Sequence, residues 1–377
     1  MLIAAAILAI LVYGIIAAML GTLLPTFSFS GSQSGTIALA QSIGLVIASL
    51  SAGPIIDNRG KKTALVSGLF LIAAVLWTLP NVADFGTVAV LLFVLGLGGG
   101  IIVTAANALV SDIGDKNRST VLNFMNLFFG LGLMITPWVS ANVVSNDAKQ
   151  LCYLAAGLAT LTFVVHVLAK VPGPTGERGF KLSEAGEVLG RPTLWLLSAF
   201  LFLYVACEVG VSNWLASYLI AKGIPKDEAL NIMALRFGLG LLIGRVAVAP
   251  VLIKVRAQLV LLGAAILMAG TTYWMLQAPD ASTAGIAVFC AGLAMAPVFP
   301  TTLGMVGDAF PKATATAMGI VITCGWIGLT VSSPIIGSIA GEDKANLPAA
   351  LMLFPAFAVV MVVINLALGA TMKKKAA

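Results

Sequence analysis

Glu208 stands where a carboxylate is hardest to keep. It lies in the apolar run 193–220, within the segment YVACEVGVSNWLASYL. Tyr204, Glu208 and Ser212 recur every four residues and so share one face of a helix, with Asn213 and Trp214 following within a turn. A charged group at the centre of a bilayer costs about 2.5–3.5 kcal/mol on insertion scales, which marks Glu208 as a functional candidate. A carboxylate beside a ring, a hydroxyl and an amide can hold the hydroxyl groups of a sugar. It could also carry a proton or pair with a cation. The alternative is a structural carboxyl bonded to a neighbouring helix.

Other polar residues recur at helical spacing inside apolar runs. Gly100, Thr104 and Asn107 share a face, as do Asn123, Asn126 and Gly130, and Thr323 with Trp326; Gln41 lies mid-run. Each amide is either a substrate contact or a hydrogen bond between helices. Trp214 and Trp326 could stack on a sugar ring or serve the core. Arg236 lies about two turns into the run 229–253, where it either pairs with Glu208, clamps an anion, or snorkels to the interface. Arg245 follows near the end of that run as a structural cation. Pro297 and Pro300 each remove a helical hydrogen bond and free the carbonyls of Leu293 and Ala296.

The elements that must position these groups follow from composition. The chain is 60% hydrophobic and only 10% charged, against about 25% charged in soluble domains. Lipid must therefore cover much of the surface. Twelve apolar runs reach the roughly 20 residues of a spanning helix: 2–27, 33–56, 63–82, 87–111, 120–144, 150–169, 193–220, 229–253, 258–277, 283–306, 315–340 and 348–371. The first lacks a basic leader and is too long for a signal peptide, so it reads as a span. Loops on one face carry fifteen Lys and Arg (Arg59, Lys61, Lys62, Lys116, Arg118, Lys170, Arg178, Lys181, Arg191, Lys254, Arg256, Lys312 and Lys373 to Lys375), while the other face carries four, Lys149, Lys222, Lys226 and Lys344. The lysine-rich face is expected to be cytoplasmic, with both termini inside. The net charge of +6 is dispersed over these loops and gives no stripe for nucleic acid. The four cysteines fall in apolar runs and there is one histidine, so neither a disulfide framework nor a metal site is expected. No cofactor is expected, and no spacing of nucleophile and base or phosphate loop points to an enzyme.

The two halves repeat. Asp112 to Gly132 spans 20 residues and so does Asp308 to Gly328, the copies lying 308 − 112 = 196 apart. Gly130, Gly132 and Pro137 in one copy match Gly325, Gly328 and Pro334 in the other. The long Pro- and Gly-rich connection at 171–192 divides the chain into an N-terminal six-helix bundle (1–170) and a C-terminal one (193–377). LSEAGEVL within it reads as a short surface helix.

The turn Gly53-Pro-Ile-Ile-Asp57-Asn58-Arg59-Gly60-Lys61-Lys62, with the six-plus-six layout, resembles the major facilitator superfamily, whose loop between helices 2 and 3 reads Gly-x-x-x-Asp-Arg-x-Gly-Arg-Arg. The match covers Gly53, Asp57, Gly60 and the basic pair, and departs at Asn58. The resemblance implies an all-helical membrane transporter in which Gly53, Asp57, Arg59, Gly60, Lys61 and Arg245 hold a gate. Within that superfamily TAANALV, LNFMNLFFGLG, YVACEVGVSNWLASYL and APVFPTTL are similar to the fucose/glucose-type sugar permeases. Those relatives use acidic residues in helices 1 and 4; here helix 1 has none and Val103 precedes Thr104-Ala105-Ala106-Asn107. Their proton route does not transfer. The resemblance implies a monosaccharide, or another small polar solute, moved by alternating access with or without H⁺ or Na⁺, by a monomer in a bacterial inner membrane. Glu208, Asn107, Asn123, Asn126, Gln41, Trp214 and Trp326 are the expected binding residues, and Glu208 the ion-coupling one. An organic anion or amphiphile carried through Arg236 is the alternative.

Overall fold

The computed structural model describes residues 2–27, 29–113, 118–169, 188–310, 314–341 and 346–373. Among them every regular element is helical, and twelve helices are long and apolar enough to span a membrane: α1 (Ala4–Leu23), α2 (Gly31–Ala52), α3 (Arg59–Asn81), α4 (Phe85–Val110), α5 (Phe124–Asn142), α6 (Ala148–Leu168), α7 (Pro192–Ala221), α8 (Lys226–Lys254), α9 (Ala257–Gln277), α10 (Ala281–Ala309), α11 (Ala317–Ala340) and α12 (Leu347–Thr371). All twelve expected spans are present, with ends shifted by a few residues. Most of the connection at 171–192, including most of LSEAGEVL, lies outside the described residues.

Burial sorts the helices into layers. The most apolar windows of α1, α4, α7 and α10 are 72, 67, 67 and 78% buried, whereas those of α6, α9 and α12 are 39% buried. The first set lines the centre; the second turns residues such as Leu161, Leu267 and Val363 outward. In a soluble protein such exposure would be a liability, but facing lipid costs these side chains nothing.

Small residues set the helix crossings. A methyl group on Gly44 would lie 2.1 Å from the Phe93 carbonyl oxygen, and one on Gly96 would lie 2.0 Å from that of Gln41. In the other half Gly240 meets Phe289 at 2.4 Å and Gly292 meets Phe237 at 2.5 Å in the same way. All four positions repeat at 196 (240 − 44, 289 − 93, 292 − 96, 237 − 41), so the α2–α4 crossing recurs as α8–α10. Gly132 packs on Leu11 and Gly328 on Phe202, so α1 corresponds to α7 at an offset of 202 − 11 = 191. Side chains at these contacts would force the backbones apart and lose the dispersion contacts that hold helices together in lipid.

Two breaks re-aim backbone groups. The α2–α3 turn runs helically except at Gly60, where φ is 82° and ψ is 160°, a region only glycine occupies without strain. Helix α10 stops at Met295 and restarts at Val298, as its two prolines require. Helix α8 contains a π-helical turn over Met233–Gly238, which the apolar pattern alone does not reveal.

The lysine-poor ends of the two halves are joined. Asn142 donates to Asn231 Oδ1 at 2.8 Å, Asn146 donates to Asp227, and a methyl group on Gly35 would lie 3.3 Å from Gly337 Cα. A methyl group on Gly21 of α1 would likewise collide with the Ser212 carbonyl oxygen of α7, 1.9 Å away. The chain is thus closed on that face.

Candidate functional site

Glu208 is buried at the centre, and its partner is Arg245 from α8. Nη2 of Arg245 lies 3.5 Å from Glu208 Oε1, with the two side chains 1% and 6% exposed. The guanidinium is shared further. Nε donates to the Ala296 carbonyl at 3.4 Å and Nη1 donates to the Asn126 carbonyl. Its central carbon sits 5.1 Å from the centroid of the Phe129 ring, a cation–π contact. Arg245 thus ties α7, α8 and α10 of one half to α5 of the other. A planar, permanently charged fork with five donors suits such sharing, where lysine would not.

The break in α10 supplies acceptors. Ala296 O, one of the two carbonyls expected to be freed, accepts from Arg245; the adjacent Met295 O accepts from Tyr204 Oη at 2.9 Å. Tyr13 lines a cavity together with the pair, stacked on Phe129 (centroids 5.3 Å, 27°) and edge-on to Trp326 (6.4 Å, 75°). Two small cavities flank it. One, of about 10 Å³, is lined by Tyr13, Asn126, Phe129, Glu208, Arg245 and Trp326 among others; the second, of about 20 Å³, is lined by Tyr13, Ala17, Gln41, Gly96 and Trp326 among others. A single water needs about 10–15 Å³ measured this way, so each of these two spaces is no larger than one or two waters. Trp326 Nε1 is a buried donor without a protein partner, and it borders both spaces.

The expected residues separate into those that meet here and those that do not. Glu208, Asn126, Gln41 and Trp326 line the cavities. Asn107 is fully buried and bonded within the helix frame: it donates to Val103 O at 2.7 Å and accepts from Asn126 at 3.4 Å. Both amides thus fasten α4 to α5. Trp214 is fully buried with an unpartnered Nε1 but does not border either cavity. The side chains of Asn123 and Asp57 and the packing around Gly53 lie outside what the structure describes. Of the rest of the turn, Arg59 is exposed, Lys61 is half-buried, and Gly60 takes its special φ.

The two arginines of α8 take different places, and for Arg236 the outward alternative is the one that agrees with the structure. Arg236 is exposed and lies along α10, where a methyl group on Gly285 would be 3.5 Å from its Cγ and Nε. It is exposed where Glu208 is buried, and it lines neither of these two cavities, its place in the π-helical turn directing it outward. Arg245, expected at a gate, is the buried partner of Glu208. Sequence reasoning also passed over Tyr13 and Phe129. The 191-residue correspondence could have found the first: it matches Tyr13 to Tyr204 and Glu208 to Ala17, while the 196-residue one matches Arg245 to Ser49. The tyrosine is duplicated, whereas the ion pair belongs to one half.

Residues 2–333 match the family model described as the Major Facilitator Superfamily. The chain belongs to that superfamily. It is a membrane transporter, with twelve spanning helices among the described residues, and members of this superfamily move small solutes rather than catalyse reactions. The chain is 22% identical over 366 residues to Bypass of stop codon protein 6 of Saccharomyces cerevisiae, covering 86% of this chain and 73% of the relative. It is also 22% identical over 343 residues to a putative niacin/nicotinamide transporter, NiaP, of Bacillus subtilis, covering 87% and 84%. Its fold is similar to that of a variant of the E. coli fucose:proton symporter FucP, with a TM-score of 0.73 at 18% identity over 97% of this facilitator and 98% of that chain.

Proposed function

We propose that this facilitator moves a small polar solute, a monosaccharide first of all, by alternating access around the Glu208–Arg245 pair, with Glu208 as the site of ion coupling. The observation that carries this reading is the shared guanidinium. Arg245 bonds Glu208 and Ala296 in one half and the Asn126 carbonyl in the other, so separating the halves strips it of one acceptor. A solute hydroxyl can replace that acceptor. Trp326 Nε1 and Gln41 offer further polar contacts, and Tyr13 and Trp326 offer ring faces of the kind that pack against a sugar. The turn from Gly53 to Lys61 acts as the gate at the lysine-rich face, which is the cytoplasmic side of a bacterial inner membrane, and the monomer is the working unit.

The test is uptake of radiolabelled monosaccharides into proteoliposomes of wild type and Glu208→Gln, with H⁺ and Na⁺ gradients imposed separately. Accumulation under one gradient that the variant loses supports a coupled sugar site. No movement of any sugar under either gradient would rule it out.

A second reading rests on the same cation. Arg245 stacked on an aromatic ring is also suited to a planar carboxylate, and the likeness to NiaP points the same way. Such an organic anion would use Arg245, not Arg236. Niacin and benzoate belong in the uptake panel, and anion uptake that survives Arg236→Ala but not Arg245→Lys would favour this reading.

A further inference from the structure

The lipid-facing side of the N-terminal half carries a groove of about 610 Å³ between α3 and α6. Lys62, Thr63, Val66, Ser67 and Phe70 form one wall, spaced so that they follow a single stripe of α3; Phe163 and Val167 of α6 form the other. The groove is graded along its length. Phe70 and Phe163 meet at its deep end with centroids 6.1 Å apart, and Phe70 is 58% exposed. Hydroxyls occupy the middle, and at the lysine-rich end sits Lys62.

Lys62 is held in a fixed place. Its Nζ donates to Val167 O and Ala169 O, both at 2.8 Å, so the ammonium caps the C-terminal end of α6 and keeps one of its three donors for another acceptor. Arg59, exposed, precedes it by three residues across the break at Gly60, and Lys61 by one. A positive head above an apolar slot at the membrane interface is complementary to one class of molecule. We propose that the α3–α6 groove is a binding site for an anionic glycerophospholipid, with the phosphate at Lys62 and Arg59 and an acyl chain along Val66, Phe70 and Phe163. Basic pockets between spanning helices bind such headgroups, and each lysine or arginine near an anionic surface adds to the attraction. The site lies on the outer layer of the bundle, apart from the Glu208–Arg245 centre, and does not depend on which solute is carried.

Native mass spectrometry of the whole chain, delipidated in detergent and titrated with dioleoylphosphatidylglycerol or dioleoylphosphatidylcholine, tests this. Wild type should retain one phosphatidylglycerol at a concentration at least several-fold below that needed for phosphatidylcholine. Lys62→Gln should abolish the preference. Because that change also removes a helix cap, Val66→Trp provides the second arm: it keeps Lys62 and its two carbonyls while filling the slot, and should lose the tightly held lipid. Inorganic phosphate at millimolar concentration should not displace the lipid, since it has no chain to seat. Equal retention of both lipids by wild type, displacement by phosphate alone, or unchanged selectivity in Val66→Trp would overturn the proposal.

Discussion

Removing the charge of Glu208 should cost the protein stability that a second substitution gives back, without restoring transport. At 3.5 Å, two unit charges attract by about 5 kcal/mol at an effective dielectric of about 20. Glu208→Gln loses that attraction but leaves a carbonyl that can still accept from the guanidinium, a bond to a charged group contributing roughly 1.5–3 kcal/mol. The net loss is then about 3 kcal/mol, at the lower edge of the ~3–5 kcal/mol found when one partner of a buried pair is removed. For a cooperative unit of one six-helix half this corresponds to a fall in thermal midpoint of roughly 6–12 °C. In Glu208→Gln/Arg245→Met no charge remains to be paired, and such replacements are commonly neutral or stabilising. Thermal unfolding in detergent across the four members of the cycle should therefore give a coupling energy of about 3 kcal/mol, while uptake is lost in all three variants. A Glu208→Gln protein as stable as wild type would mean that the pair does not hold in the membrane. A double variant that still accumulates solute would show that the pair is scaffolding.

Four shorter predictions follow from other contacts. Trp326→Phe keeps the ring against Tyr13 but deletes the unpartnered Nε1 donor; if the solute uses it, the apparent affinity in uptake assays should fall by about 2- to 12-fold, the equivalent of one ordinary hydrogen bond, with the thermal midpoint unchanged or slightly raised. Gly60→Ala places a side chain at φ 82° and ψ 160° and should destabilise the protein by about 1–3 kcal/mol, read as a lower midpoint and slower uptake. Gly328→Ala sets a methyl group 2.0 Å from the Phe202 carbonyl oxygen and should impair transport more than Gly319→Ala, whose methyl group would lie 3.9 Å from its nearest neighbour. Asp280 caps α10 by accepting from Thr283, whose backbone N–H and hydroxyl hold its carboxyl below the ordinary value of 3.8. A carboxylate held low stabilises the folded state above that value and loses the contribution as the pH falls through its folded-state value, so Asp280→Ala should lower the midpoint at pH 7 by a margin that closes below pH 3.8.

Twelve spans, two halves and a repeat were legible in the residues because each rests on local or periodic quantities. Apolar length decides a span, Gly and Pro decide where a helix can cross or break, and a repeat at 196 residues is visible without knowing what touches what. Pro297 and Pro300 announced the break in α10 in the same way, and a carboxylate in an apolar run singled out Glu208. The partner of Glu208 was not legible. Arg236 and Arg245 stand nine residues apart in one helix, and which of them turns inward depends on helix phase, which the π-helical turn at Met233–Gly238 resets. The role of Tyr13 was hidden as well, since a tyrosine in an apolar run looks the same whether it packs in a core or walls a cavity. Asn107 and Asn126 could have served solute or scaffold; only the placement of α4 beside α5 turned them toward each other. Sequence thus determined which groups are buried in the membrane, through the cost of exposing each to lipid. Only tertiary structure decided which of them meet, because an ion pair or a cavity between helices depends on rotations and breaks that no single segment encodes.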